Sequence, residues 1–124
     1  MGLGTAGTLG IYSWGPGSTV RRVVDTSLST SDGDRFNDFP EPPSVYGNKV
    51  AFLSNTASGA SGVFLFDLSN RDAGYRRLVS TATKLAGVGI TYIGFTRDAM
   101  TAEHASVYFV LSNQTYGVYR ISLP

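Results

Sequence analysis

"GNKVAFLSNTASGASGVFLFDL", Gly47 to Leu68, places a short apolar run, a polar turn with glycine and a second short apolar run end to end. Either run alone buries little apolar surface, so the stretch predicts strands of a sheet whose faces are covered by further sheets. From Gly62 to Asp67 the apolar residues are almost unbroken, the pattern of a strand covered on both sides.

Working outward, the 15 glycines lie scattered between segments rich in Val, Phe, Tyr and Ile, which favours many strands and sharp turns over helices. The pattern predicts strands at Leu9 to Trp14, Val20 to Asp25, Lys49 to Ser54, Gly62 to Asp67, Tyr75 to Val79, Gly89 to Phe95, Ser106 to Leu111 and Gly117 to Ser122. In the last of these, Tyr116, Val118, Arg120 and Ser122 alternate with Gly117, Tyr119, Ile121 and Leu123, which is too mixed to choose a solvent face. Asp98 to His104 reads as a single helical turn or a plain turn, with Asp98 as the cap.

Short segments recur in order. "GIYSW" at Gly10, "GVFLF" at Gly62 and "GVYRI" at Gly117 resemble one another, as do "VRRVVDT" at Val20 and "YRRLVST" at Tyr75, and "VAFLSN" at Val50 and "YFVLSN" at Tyr108. Ordered recurrence of this kind predicts an internal repeat. Its copies are an incomplete one over 10–26, a central one over 36–81 and a divergent one over 91–124, all within a single β-rich domain spanning 1–124. "FNDFPEPPSVYGNKVAFLSN", Phe36 to Asn55, followed by "GVFLFDL" and "RRLVST", resembles the blade repeat of bacterial-type β-propeller proteins. That resemblance implies an all-β fold of propeller-like antiparallel blades. A small β-sandwich or barrel is the alternative that sheet propensity alone supports. Only about two blades fit in this length, and closed propellers need roughly four to eight. The expected assembly is therefore a homo-oligomer, a ring-like trimer if the chain is complete. Phe64, Phe66, Tyr108, Tyr116 and Tyr119 are candidate sources of apolar contact area in it.

Composition limits the function classes. The 124 residues, 42% of them hydrophobic, suffice for one core. A formal charge of +1 gives little field to attract a phosphate backbone or an anionic bilayer, so neither nucleic acid nor a membrane is an expected partner. No segment reaches the roughly 18 apolar residues of a span. Met1 to Val20 lacks a basic start and a continuous apolar stretch, which predicts a soluble chain with no evident signal peptide. Without cysteine there is neither disulfide nor thiol chemistry.

Candidate chemistry is sparse. "TSDGDRFNDF" gathers Asp32, Asp34 and Asp38, oxygen donors that could hold a cation, although the spacing of a helix-loop-helix calcium site is absent and a solvated turn explains them. His104 after Glu103 could act as a base, but there is no second His and no nucleophile beside it. "GLGTAG" at Gly2 superficially matches a dinucleotide fingerprint, but it precedes the first strand and reads as a flexible terminus. Trp14, with Tyr12 nearby, is the candidate ligand contact: the indole either stacks on a sugar or partner, or fills a sheet interface. Arg21, Arg22, Arg76 and Arg77 form repeated pairs whose adjacent members point to opposite faces of a strand and suit structural contacts. The expectation is thus a non-enzymatic protein- or carbohydrate-binding or assembly module without a cofactor or catalytic set. Its alternatives are a small hydrolase using the acidic loop and His104, or a structural fragment of a larger propeller.

Overall fold

The computed structural model describes residues 2–3, 9–13, 21–30, 33–81, 84–85, 88–94, 100–101 and 103–123. They form twelve strands: β1 (Gly2–Leu3), β2 (Leu9–Ser13), β3 (Arg21–Asp25), β4 (Phe36–Asp38), β5 (Ser44–Tyr46), β6 (Lys49–Thr56), β7 (Ser61–Asp67), β8 (Arg76–Ser80), β9 (Lys84–Leu85), β10 (Val88–Gly94), β11 (His104–Leu111) and β12 (Tyr116–Ser122). One 3-10 turn, Arg71–Ala73, precedes β8. All strand pairs are antiparallel. The strands build three sheets: β1-β2-β3; β4-β6-β7-β8 with β5 also on β6; and β12-β11-β10-β9.

The five-stranded sheet is the middle layer. Along β6 and β7 alternate residues face opposite ways, as a pleated strand requires. Ala51, Leu53, Val63 and Leu65 join Ile90, Ile93, Val107, Phe109 and Leu111 of the four-stranded sheet in one core. Val50, Phe52, Phe64 and Phe66 join Ile11, Val23 and Val24 of the three-stranded sheet in the other. The nearly unbroken apolar run of β7 follows directly, because both faces of that strand are covered. In the second core the rings meet mostly edge to face. Phe36 and Phe64 lie 5.1 Å apart at 86°, whereas Phe66 and Tyr75 stack at 4.9 Å.

The propeller expectation is overturned by this architecture. Among the described residues the sheets hold three, five and four strands, none closes or curls on itself, and they are not equal blades set about an axis. A two-layer sandwich and a barrel fail as well, since the described residues form three layers with no joined sheet edges. The internal repeat fails with them. Its strongest match is local: β2 with β3 and β7 with β8 share a register and a bulge, Gly10 facing Asp25 as Gly62 faces Ser80 and Tyr12 facing Arg22 as Phe64 faces Arg77. The surrounding sheets differ in strand number and in their edges, so the likeness stops at the hairpin. With the blades gone, the count that motivates a ring-like trimer is gone too. Phe64 and Phe66 are core residues, while Tyr108, Tyr116 and Tyr119 are exposed.

The eight predicted strands are present, with ends shifted by at most two residues where they are described; the predicted ends at Trp14, Val20 and Phe95 lie outside the described residues. β1 forms within "GLGTAG", where a flexible terminus was the expectation, by pairing with Leu9 and Gly10. Of the predicted turn at 98–104, residues 98, 99 and 102 lie outside the described residues; Met100 bridges Ala105, and His104 opens β11. Among the described residues, no helix is long and apolar enough to cross a membrane.

Candidate functional site

The outer face of the four-stranded sheet is the most distinctive surface of the molecule. β11 alternates strictly: Ala105, Val107, Phe109 and Leu111 are buried, and His104, Ser106, Tyr108 and Val110 point the other way. The register sets Tyr92 of β10 opposite Val110. On β12 it sets Tyr116 opposite Val110, Val118 opposite Tyr108, Arg120 opposite Ser106 and Ser122 opposite His104. Three tyrosines thus run across three strands, Tyr92 to Tyr108 at 6.4 Å and Tyr108 to Tyr116 at 6.2 Å between ring centroids. Tyr116 and Val118 keep 71% and 72% of their surface in solvent, and Tyr92 keeps 52%. Among the residues that pair across β10, β11 and β12, Arg120 is the one Lys or Arg on this face, and none of the paired positions carries a carboxylate.

A bulge produces the tyrosine row. Ile90 pairs with Leu111 and Tyr92 with Val110, so one extra residue sits in β10. Ile90 and Ile93, three apart, would face opposite ways on a regular strand; the bulge turns both into the core and aims Tyr92 outward.

A cleft of about 760 Å3 lies by β7 and β8, bordered by Lys49, Asp67, Asn70, Arg76 and Arg77 among others. Its carboxylate is already committed. Asp67 accepts from the amide (2.9 Å) and hydroxyl (2.6 Å) of Ser69. These bonds, with Lys49 facing it across the strand pair, hold its carboxyl below the ordinary range. The same turn recurs after β3. There burial pushes Asp25 up, but the hydroxyl and amide of Ser27 and the guanidinium of Arg22 outweigh it and leave the carboxyl lowered. These aspartates close turns rather than converge on a reacting atom.

The residues singled out from the sequence are dispersed. Trp14 and Asp32 lie outside the described residues. Tyr12 sits on β2 opposite Arg22, about one-third exposed. Asp34 accepts from the amide (3.0 Å) and hydroxyl (2.7 Å) of Ser58, and Asp38 from the amide and side-chain nitrogen of Asn55 (both 3.2 Å). Among the described residues, no three or more His, Asp or Glu side chains gather as a metal site would require. His104 heads β11 in a different sheet, its main chain bonded to Thr101. The hydrolase reading is therefore overturned: Asp34 and Asp38 accept hydrogen bonds from Ser58 and Asn55, and among the described residues no catalytic or metal-holding group forms around them or His104. The propeller-repeat module and the propeller fragment are overturned with the blade geometry. The tyrosine face was not identifiable from the sequence as a site. Tyr108 and Tyr116 were visible only as apolar contributors, and Tyr92 joins them through a bulge that no motif marks.

No protein-family model matches this chain, and neither do curated proteins or solved structures.

Proposed function

We propose that this chain is a protein-docking module that binds through the outer face of β10, β11 and β12. The observation carrying this reading is the exposed row Tyr92, Tyr108 and Tyr116 with Val118, and half-buried Val110 beside it, on a sheet whose opposite face is already core. Scattered exposed apolar residues are ordinary, but contiguous ones on one regular surface mark contact sites. Tyrosine suits such sites because it offers a large, stiff ring with a polar tip. A polypeptide fits this face better than a glycan chain. Neighbouring rings are inclined at 73° and 44°, so they offer corrugated pockets and no common plane for stacked sugars.

The test compares the whole chain with a Tyr92→Ser, Tyr116→Ser double variant. Polypeptides retained from an extract of the source cells are identified by mass spectrometry, and one lost by the variant is purified and titrated calorimetrically. Affinity should fall at least tenfold while the urea midpoint changes little, since both rings are exposed. Equal affinity of wild type and variant for every retained polypeptide would overturn the reading, as would saturable binding to a glycan array alone.

A further inference from the structure

The seven-residue strand β12 pairs with β11 along its whole length without a register shift, and it ends the sheet order. Among the described residues no strand pairs with its other side, which leaves an open edge of peptide groups. Open edges invite unwanted pairing, and folded proteins blunt them by shortening, charging or bulging the strand. Among the described residues, each other sheet edge carries such a device. β1 and β9 have two residues each. β4 and β5 have three each and share one side of β6. β3 and β8 are longer, but each opens with two exposed arginines and contains a bulge against its neighbour. β12 has no bulge and no proline, and Arg120 is its single charge.

Resting on the docking face proposed above, we infer that β12 is a strand acceptor, extended by a partner segment that pairs with its free edge through main-chain hydrogen bonds. The side chains already on β12 define the chemistry of that segment. Tyr116, Val118 and Arg120 lie on the outer face at successive alternate positions. An added strand lays its own alternate residues beside them, at the spacing of neighbouring strands. The matching occupant is an extended polypeptide with two β-branched residues and one carboxylate at successive alternate positions, the carboxylate beside Arg120. Arg120 is exposed, and the facing positions supply no carboxylate, so this ion pair is left for the partner to complete.

Two fluorescein-labelled heptapeptides test this on the full chain by fluorescence anisotropy. Each has threonine at odd positions, and valine at two even positions with glutamate at the third; the second is the reverse of the first, so parallel and antiparallel addition are both sampled. One direction should bind saturably. N-methylation of the amides at either the odd or the even positions should abolish that binding, while methylation of the other set leaves it within a few-fold, because alternate amides of a strand point to opposite sides. Arg120→Glu should weaken it at least tenfold, with recovery when the peptide glutamate becomes lysine. Absence of binding in both directions overturns the strand acceptor. Binding that tolerates both methylation patterns also overturns it, leaving adhesion of side chains alone. The docking face is judged separately, by the Tyr92→Ser, Tyr116→Ser titration: a polypeptide lost by that variant, in the absence of any peptide binding, refutes the edge and keeps the face.

Discussion

Tyr75 and Arg71 tie two sheets together through backbone carbonyls. The Tyr75 hydroxyl donates to the Val23 carbonyl, and Arg71 Nη1 donates to the Arg22 carbonyl at 2.8 Å, so both reach β3 from the segment leading into β8. Arg71 also lies over the Phe66 ring at 5.6 Å. Burial pushes the Tyr75 hydroxyl pKa up, with Asp25 adding to the rise and Arg22 and Arg71 opposing it. A raised folded-state pKa means the fold favours the neutral phenol. That contribution is complete below the ordinary value near 10 and is lost as pH rises through the folded-state value. Tyr75→Phe should cost about 0.5–1.5 kcal/mol at pH 7, the usual range for a lost hydrogen bond, read from urea unfolding. The gap between wild type and variant should shrink above pH 10. A gap that stays constant through that range would show that the hydroxyl is not favoured by the fold. None of this was legible in the sequence, where Tyr75 is only the first residue of a predicted strand. Its partner is a main-chain carbonyl 52 positions away, and backbone acceptors leave no residue signature.

At the scale of the element, glycine and bulges explain both what the sequence revealed and what it concealed. The Gly-led strands place an aromatic ring two residues on, above the glycine on the same face. A Cβ at Gly62 would lie 3.0 Å from the Phe64 ring and 3.2 Å from the Val79 carbonyl oxygen. Gly62→Ala should therefore destabilise by about 1–3 kcal/mol, as overpacking does, because one of the obstructing atoms belongs to the backbone. Calorimetric unfolding measures it, and an unchanged midpoint would mean that the hairpin yields freely. The eight strands of five residues or more were readable from β-branched and aromatic content between glycine turns. β1, β4, β5 and β9 have two or three residues each, too few to express a period. Faces were harder to read. The bulge in β3 buries both Val23 and Val24, and the one in β8 turns Leu78 and Val79 toward the same core, so adjacent apolar residues break the alternation that would reveal the outside of a strand.

The molecule as a whole is organised around its middle sheet, which contributes side chains to both cores. Covering both faces of that sheet links the outer layers, although their own strands do not pair. Phe52→Ala, at a fully buried ring in contact with Phe36, Phe39, Phe64 and Tyr75, should cost about 3–5 kcal/mol. The loss should lower the unfolding midpoint equally for a probe in either outer sheet, as shown by tryptophans substituted singly at Tyr12 and Tyr108 in a Trp14→Phe background. Separate midpoints for the two probes would show that the cores melt independently. The resemblance to propeller blades failed at this scale because strand-level likeness carries no information on how many strands a sheet gathers. The coverage of β7 on both faces was still legible in its nearly continuous apolar run. The same coverage sets a clock for solvent access in deuterated water. Peptide groups of β1 and β9 trade their protons through fraying, while those inside β6 and β7 wait for the entire chain to open, so their exchange rates report global stability.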